Sequence, residues 1–176
     1  MAIIFSLSVE CGADSATVER LSQHFDNIEW VQTNGQRSQL IVNNFQDIEE
    51  NWWCRIVPNG ISTLGIDTPE TAFIMTELGI KLYQRLQSAP SFRYALVGIE
   101  VDEFRTYSEL LENPSGLNFP GLVIAQSIWH SQGEPKVFRP FSLGYVWKPY
   151  EGEVYKPLIA SLDLKNKMNE LMILQS

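Results

Sequence analysis

The chain has 176 residues and carries 13 basic and 21 acidic side chains, for a net charge of −8. That is long enough to close one core without disulfide or metal support. The hydrophobic share of 44% excludes a largely disordered chain. The acidity is concentrated in residues 1–88, where 5 basic side chains stand against 11 acidic ones, so this half repels long polyanions and argues against nucleic acid as a partner.

The opening stretch MAIIFSLSVECG has an apolar run, but no Lys or Arg precedes it and Glu10 closes it too early for a membrane span. A strand is expected there, in a cytoplasmic protein that makes no use of the membrane. Cys11 and Cys54 form no CxxC pair, so neither a zinc cluster nor a disulfide framework is indicated. Buried thiols are expected, and a nucleophilic Cys11 would need a His or a helix N-terminus beside it.

DSATVERLSQHF starts with cap-forming residues and spaces Val18, Leu21 and Phe25 as one face of a helix. IEWVQTNGQRSQLIVNNF then predicts two strands about Asn34-Gly35, a dipeptide suited to a tight turn. Residues 45–67 predict a helical turn followed by one or two strands broken at Pro58-Asn59-Gly60. TPETAFIMTELGIKLYQRLQSAP predicts the best helix, with Thr68 as cap, Pro69 in the first turn and Met75, Leu78, Leu82 and Leu86 facing inward. Gly79 inside it costs roughly 1 kcal/mol relative to Ala, which implies that another backbone packs close at that turn.

FRYALVGIEV reads as a buried strand, EFRTYSELLE as a short helix and LVIAQSIW as a further strand. KVFRPFSLGYVWKP predicts a second hairpin, and KNKMNELMIL a terminal helix with Met168, Leu171 and Met172 facing in. No repeat, linker or low-complexity tract interrupts residues 1–176. The irregular mixture of strands and helices predicts one α+β domain, a mainly antiparallel or mixed sheet with helices packed against it.

No P-loop, GxGxxG, HExxH, GxSxG or EF-hand pattern occurs, and His24 and His130 alone cannot build a polyhistidine metal site. No cofactor is expected. Two segments remain as candidate sites. In VGIEVDEF, an extended chain places Glu100 and Asp102 on one face, about 7 Å apart, where they could take a hard cation or share a proton as acid and base. His130 would complete a mixed site if its strand lay beside theirs, with Arg105 nearby. The structural alternative makes Asp102 the cap of a helix beginning at Glu103 and leaves Glu100 in water.

The second segment, FRPFSLGYVWKPYEGEVYKP, interleaves Phe138, Phe141, Tyr145, Trp147, Tyr150 and Tyr155 with Arg139, Lys148 and Lys156. Glu151 and Glu153 break the run of cations, which suits base stacking poorly and a protein interface better. Much of this set is expected in the core; Trp147, Lys148, Tyr150 and Glu151 are expected to form the exposed interaction surface. The sequence therefore favours a small acidic interaction module that neutralises a basic partner such as a toxin or nuclease. The competing reading is a metal-assisted or acid-base enzyme using Glu100 and Asp102 on a small substrate. A homo-oligomer joined through its aromatic face is the third arrangement the sequence allows.

Overall fold

Alternating apolar residues and a few well-placed turns set the architecture seen in the computed structural model, which describes residues 4–60, 68–101, 104–112 and 117–153. The chain runs β1 (Phe5–Gly12), α1 (Ser15–Phe25), β2 (Glu29–Val31), β3 (Arg37–Gln46), β4 (Trp52–Pro58), α2 (Pro69–Leu86), β5 (Tyr94–Ile99), α3 (Tyr107–Glu112), β6 (Val123–Ala125), α4 (Gln126–Ser131), β7 (Arg139–Ser142) and β8 (Tyr145–Trp147). The strands form one antiparallel sheet in the order β2-β3-β4-β1-β5-β6-β8-β7, giving the α+β fold expected from the sequence.

β1 is central, and every one of its residues is buried. Its odd positions, Phe5, Leu7, Val9 and Cys11, join the core formed with Val18, Leu21 and Phe25 of α1 and Met75, Leu78 and Leu82 of α2. Ser6, Ser8 and Glu10 point to the opposite face, where Trp53, Tyr94 and Leu96 pack with Leu110 of α3 and Ile128 of α4. A strand buried on both faces needs each polar side chain to find a partner inside, since burying one unpaired costs free energy.

The local signals at the two long helices hold. Asp14 accepts from the Ala16 N–H at 2.9 Å, and Thr68 accepts from the Thr71 N–H at 3.1 Å. The inward stripe of α2 is as predicted. The hairpin about Asn34-Gly35 and the hairpin β7–β8 also form. The terminal helix, with Met168, Leu171 and Met172, lies outside the described residues, as do residues 61–67.

Three expectations need correction. LVIAQSIW is a strand only at Val123–Ala125 and becomes α4 at Gln126, because β8 offers just three residues to pair with and a longer strand would have no neighbour. Residues 47–51 form a tight turn joining β3 to β4 instead of a helical turn. Gly79 is approached by an aromatic ring and not by backbone: a Cβ there would lie 2.7 Å from the Tyr150 hydroxyl oxygen.

Tyr150 belongs to a cluster of aromatic rings on α2, with Tyr83 centred 5.0 Å from Tyr150 and 5.1 Å from Trp147. The Tyr83 hydroxyl accepts from the Val97 N–H at 3.1 Å and donates to the Gly121 carbonyl at 2.7 Å. Strand β6 pairs with β5 only at Tyr94 and Ala95, so this hydroxyl serves the backbone where the ladder has ended. Gly79→Ala gains helix propensity of about 1 kcal/mol but forces Tyr150 to move, which typically costs 1–3 kcal/mol. We expect a net loss of about 1 kcal/mol in urea unfolding. A more stable variant would show that the Tyr150 ring yields without cost.

Candidate functional site

Of the expected pair of carboxylates, only Glu100 is among the described residues. β5 ends at Ile99, and Glu100 takes a left-handed conformation at φ 57°, so the strand alternation stops there. The following Val101 folds back over Gly98. Glu100 closes the sheet instead: its carboxylate accepts from the Ile4 N–H at 3.1 Å, and its own N–H donates to the Ile4 carbonyl at 2.8 Å. Asp102 and Glu103 lie outside the described residues. The α-helix after them starts at Tyr107, and its first turn is closed reciprocally by Thr106 and Glu109.

His130 sits on α4, which follows the Ala125 end of β6, beside Tyr94 at the start of β5. Glu100 is past the far end of β5, about 20 Å from Tyr94 at roughly 3.4 Å per residue. His130 pairs instead with Glu134, Nδ1 to Oε1 at 2.6 Å, on the surface. Arg105 stacks over Phe119 with its guanidinium 5.0 Å from the ring centre. Among the described residues no group of three His, Cys, Asp or Glu side chains is placed to hold a metal ion.

The exposed aromatic surface is not found where it was expected. Trp147, the last residue of β8, and Tyr150, three residues beyond it, are buried at 9% and 5% exposure, packed on Tyr83 of α2. Lys148 is half-buried and donates to the Asn118 side chain at 2.7 Å, while Glu151 is exposed. Tyr150 donates to Glu153 at 2.7 Å, and burial pushes the Glu153 carboxyl above its ordinary range. The cysteines are buried thiols facing the α1 side. Burial pushes Cys54 up to about 12 and Cys11 higher still, so neither supplies a thiolate nucleophile.

The structure concentrates its organised polar chemistry at the Gly12 end of β1. The strand bulges between Glu10 and Gly12, and Gly12 takes φ 80°, a left-handed conformation that suits glycine. This turns the Gly12 N–H onto the Glu10 carboxylate at 2.7 Å. The same carboxylate, fully buried, takes a two-pronged contact from Arg93: Nε reaches Oε1 at 2.7 Å, and Nη2 reaches Oε2. The Arg93 guanidinium lies 3.7 Å from the centre of the Tyr107 ring. Burial raises the Glu10 carboxyl above its ordinary range, against the opposing pull of Arg93 and the Gly12 amide. Three of its roughly four lone-pair sites are engaged and the side chain is fully buried, so Glu10 serves to hold structure together.

Next to this pair Trp53 stands edge-on to Tyr94, with centroids 5.4 Å apart, and stacks on Phe45 at 6.2 Å. Its indole N–H donates to Asp47 Oδ2 at 2.8 Å. The other oxygen of Asp47 accepts from the N–H groups of Glu49 and Asn51, at 2.9 and 3.1 Å. Asp47 also exchanges backbone bonds with Asn51 and Glu50, and the Gln46 side chain donates to the Glu50 carbonyl. Glu49 in turn accepts from the Ser108 N–H at 3.2 Å, and the Ser108 hydroxyl and amide hold its carboxyl below the ordinary range.

One side chain in this stapled turn is excluded from the packing. Ile48 is 91% exposed, with exposed Glu49 and Glu50 beside it and exposed Glu109 and Glu112 on α3. The arrangement can present an apolar tip and carboxylates to another surface, and nothing in it is placed to do covalent chemistry. The sequence reading missed it because Glu10, Arg93 and Asp47 lie far apart along the chain. The Asp-Ile-Glu-Glu-Asn run between two β-prone stretches was the available local signal, since Asp and Asn side chains commonly close such turns. Compared with known proteins, the chain matches no described protein family, no curated protein sequence and no solved structure.

Replacing Arg93 by Met would leave Glu10 buried without its counter-charge. We expect a loss of roughly 2–4 kcal/mol near neutral pH, less than a fully sealed pair would lose because Arg93 is 30% exposed. The unpaired carboxyl has its native pKa raised above the unfolded one. Stability is therefore retained below the ordinary carboxylate range and falls as pH rises through the native value. Urea unfolding at several pH values would show the deficit shrinking in acid; a constant deficit would assign the loss to packing on Tyr107.

Proposed function

We propose that this protein is an acidic interaction module that docks on a basic protein through the Asp47–Asn51 turn. The observation that carries the reading is Ile48, 91% exposed at the centre of a turn tied down by Asp47, Gln46 and the Ser108 contact. The bonds of Asp47 close the β3–β4 hairpin, but an apolar side chain left in water at its tip adds nothing to the core. Holding the turn in one conformation reduces the ordering cost of binding. Glu49, Glu50, Glu109 and Glu112 around it favour a partner with Lys or Arg bordering an apolar pocket, and the net charge of −8 would speed the encounter.

Two free, buried thiols support a reducing compartment, the cytoplasm, as the place of action. Among the described residues no helix is long and apolar enough to cross a membrane. Neutralisation of a cationic toxin or nuclease is one biological use that this chemistry fits.

Selection from a random peptide display library against the whole protein provides the test. Recovered peptides should combine Lys or Arg with apolar residues and bind more weakly as salt increases. Ile48→Asp should reduce their affinity about tenfold or more, the value of one buried aliphatic side chain, while leaving unfolding stability within about 0.5 kcal/mol. Peptides without basic enrichment, or peptides that bind the Ile48→Asp variant equally well, would overturn the proposal.

A further inference from the structure

The sheet has open edges that are treated differently. β7, the last strand on one side, is four residues long and carries Arg139 and Pro140, both of which discourage strand addition. β2, the last on the other side, is three residues long and includes Glu29. β3 is much longer than β2, which pairs with it only from Arg37 to Gln39, after which the Leu40 N–H donates to the Ile28 carbonyl. From Ile41 to Gln46 no strand among the described residues pairs with the outer side of β3.

This stretch, IVNNFQ, unpaired on its outer side among the described residues, has no charge, no proline and no bulge, and its pairing with β4 is regular throughout. It lacks the features that ordinarily protect an edge. The direction of its backbone groups follows from its neighbours. Leu40 donates toward β2, whereas the Gln39 carbonyl and the Asp47 N–H bond on the β4 side. Backbone groups alternate along a strand, so Val42, Asn44 and Gln46 direct theirs outward.

We infer that the β3 edge pairs antiparallel with the same edge of a second copy, joining the two sheets across a two-fold axis at Asn43. In that register Asn43 faces Asn43 of the second copy. Val42 and Asn44 exchange backbone hydrogen bonds with Asn44 and Val42 across the axis. Ile41, 45% exposed, stands opposite Phe45 of the second copy, a β-branched to aromatic pair that forms twice. A second copy fits better than a peptide of other composition because this register places Ile41, the exposed apolar side chain of the stretch, against the aromatic Phe45. The seam itself is uncharged, although each chain carries a net charge of −8. The contact is isologous, so two copies consume both edges and the assembly closes as a dimer.

Sedimentation equilibrium on the full chain tests this together with charge variants at the axis. Asn43 is exposed, so replacing it leaves the protomer core alone, a point that melting temperatures would check. Asn43→Lys and Asn43→Asp each set like charges face to face, and each should raise the dimer dissociation constant about tenfold or more. Mixing the two variants should restore association as a heterodimer. Wild-type protein that remains monomeric up to about 1 mM would overturn the inference. So would a dimer unaffected by either variant, or a mixture that fails to reassociate, since each would place the seam elsewhere or show that there is none.

Discussion

The sheet closes around Glu10 only with its buried carboxylate paired. Glu10 lies on the central strand, fully buried, and an isolated carboxylate there would be costly to keep charged. Arg93 answers it with side chain and backbone together: its guanidinium grips the carboxylate, its N–H donates to the Glu10 carbonyl at 2.8 Å, and its own carbonyl receives the Ala125 N–H at 2.9 Å. One residue thus fixes β1 against β5 and β5 against β6. The stack on Tyr107 extends the same constraint to α3, and through the Ser108 contact with Glu49 to the turn between β3 and β4.

At the other end of β5 the sheet is held by different means. β6 is short, so the upper part of β5 loses its strand partner, and the Tyr83 hydroxyl takes over by bridging Val97 and Gly121. Burial pushes this hydroxyl well above its ordinary range, keeping it a hydrogen-bond donor at any physiological pH. The aromatic rings that the sequence presents so prominently are largely committed to this job. Their commitment leaves the described surface with smaller apolar features, among them an isoleucine in an acidic turn, Leu143 in the β7–β8 turn and a neutral strand edge.

Much of the fold was legible because it is locally coded. Asp14 and Thr68 cap their helices as their positions suggest, the stripe of α2 faces the core, and Asn34-Gly35 turns a hairpin. The α+β class follows from the mixture of periods. Local reading failed where neighbours decide the outcome. LVIAQSIW has the composition of a strand, but the sheet supplies pairing partners for only three residues. VGIEVDEF alternates like a strand, yet Glu100 leaves the extended conformation to close onto Ile4.

The sequence by itself determined the two long helices, most of the strands, the charge of the molecule and the absence of the familiar catalytic and nucleotide-binding patterns. These follow from short-range periodicity and residue type. Only the tertiary structure decided which polar groups meet. Glu10 and Arg93 are 83 positions apart, and no spacing rule connects them until β1 and β5 lie side by side. Exposure was decided in the same way: Trp147 and Tyr150 resemble a binding surface in the sequence but pack on Tyr83, whereas Ile48 resembles a core residue and stands in water. Burial belongs to the assembled sheet and its helices, and a side chain's type sets only how much it gains by being there.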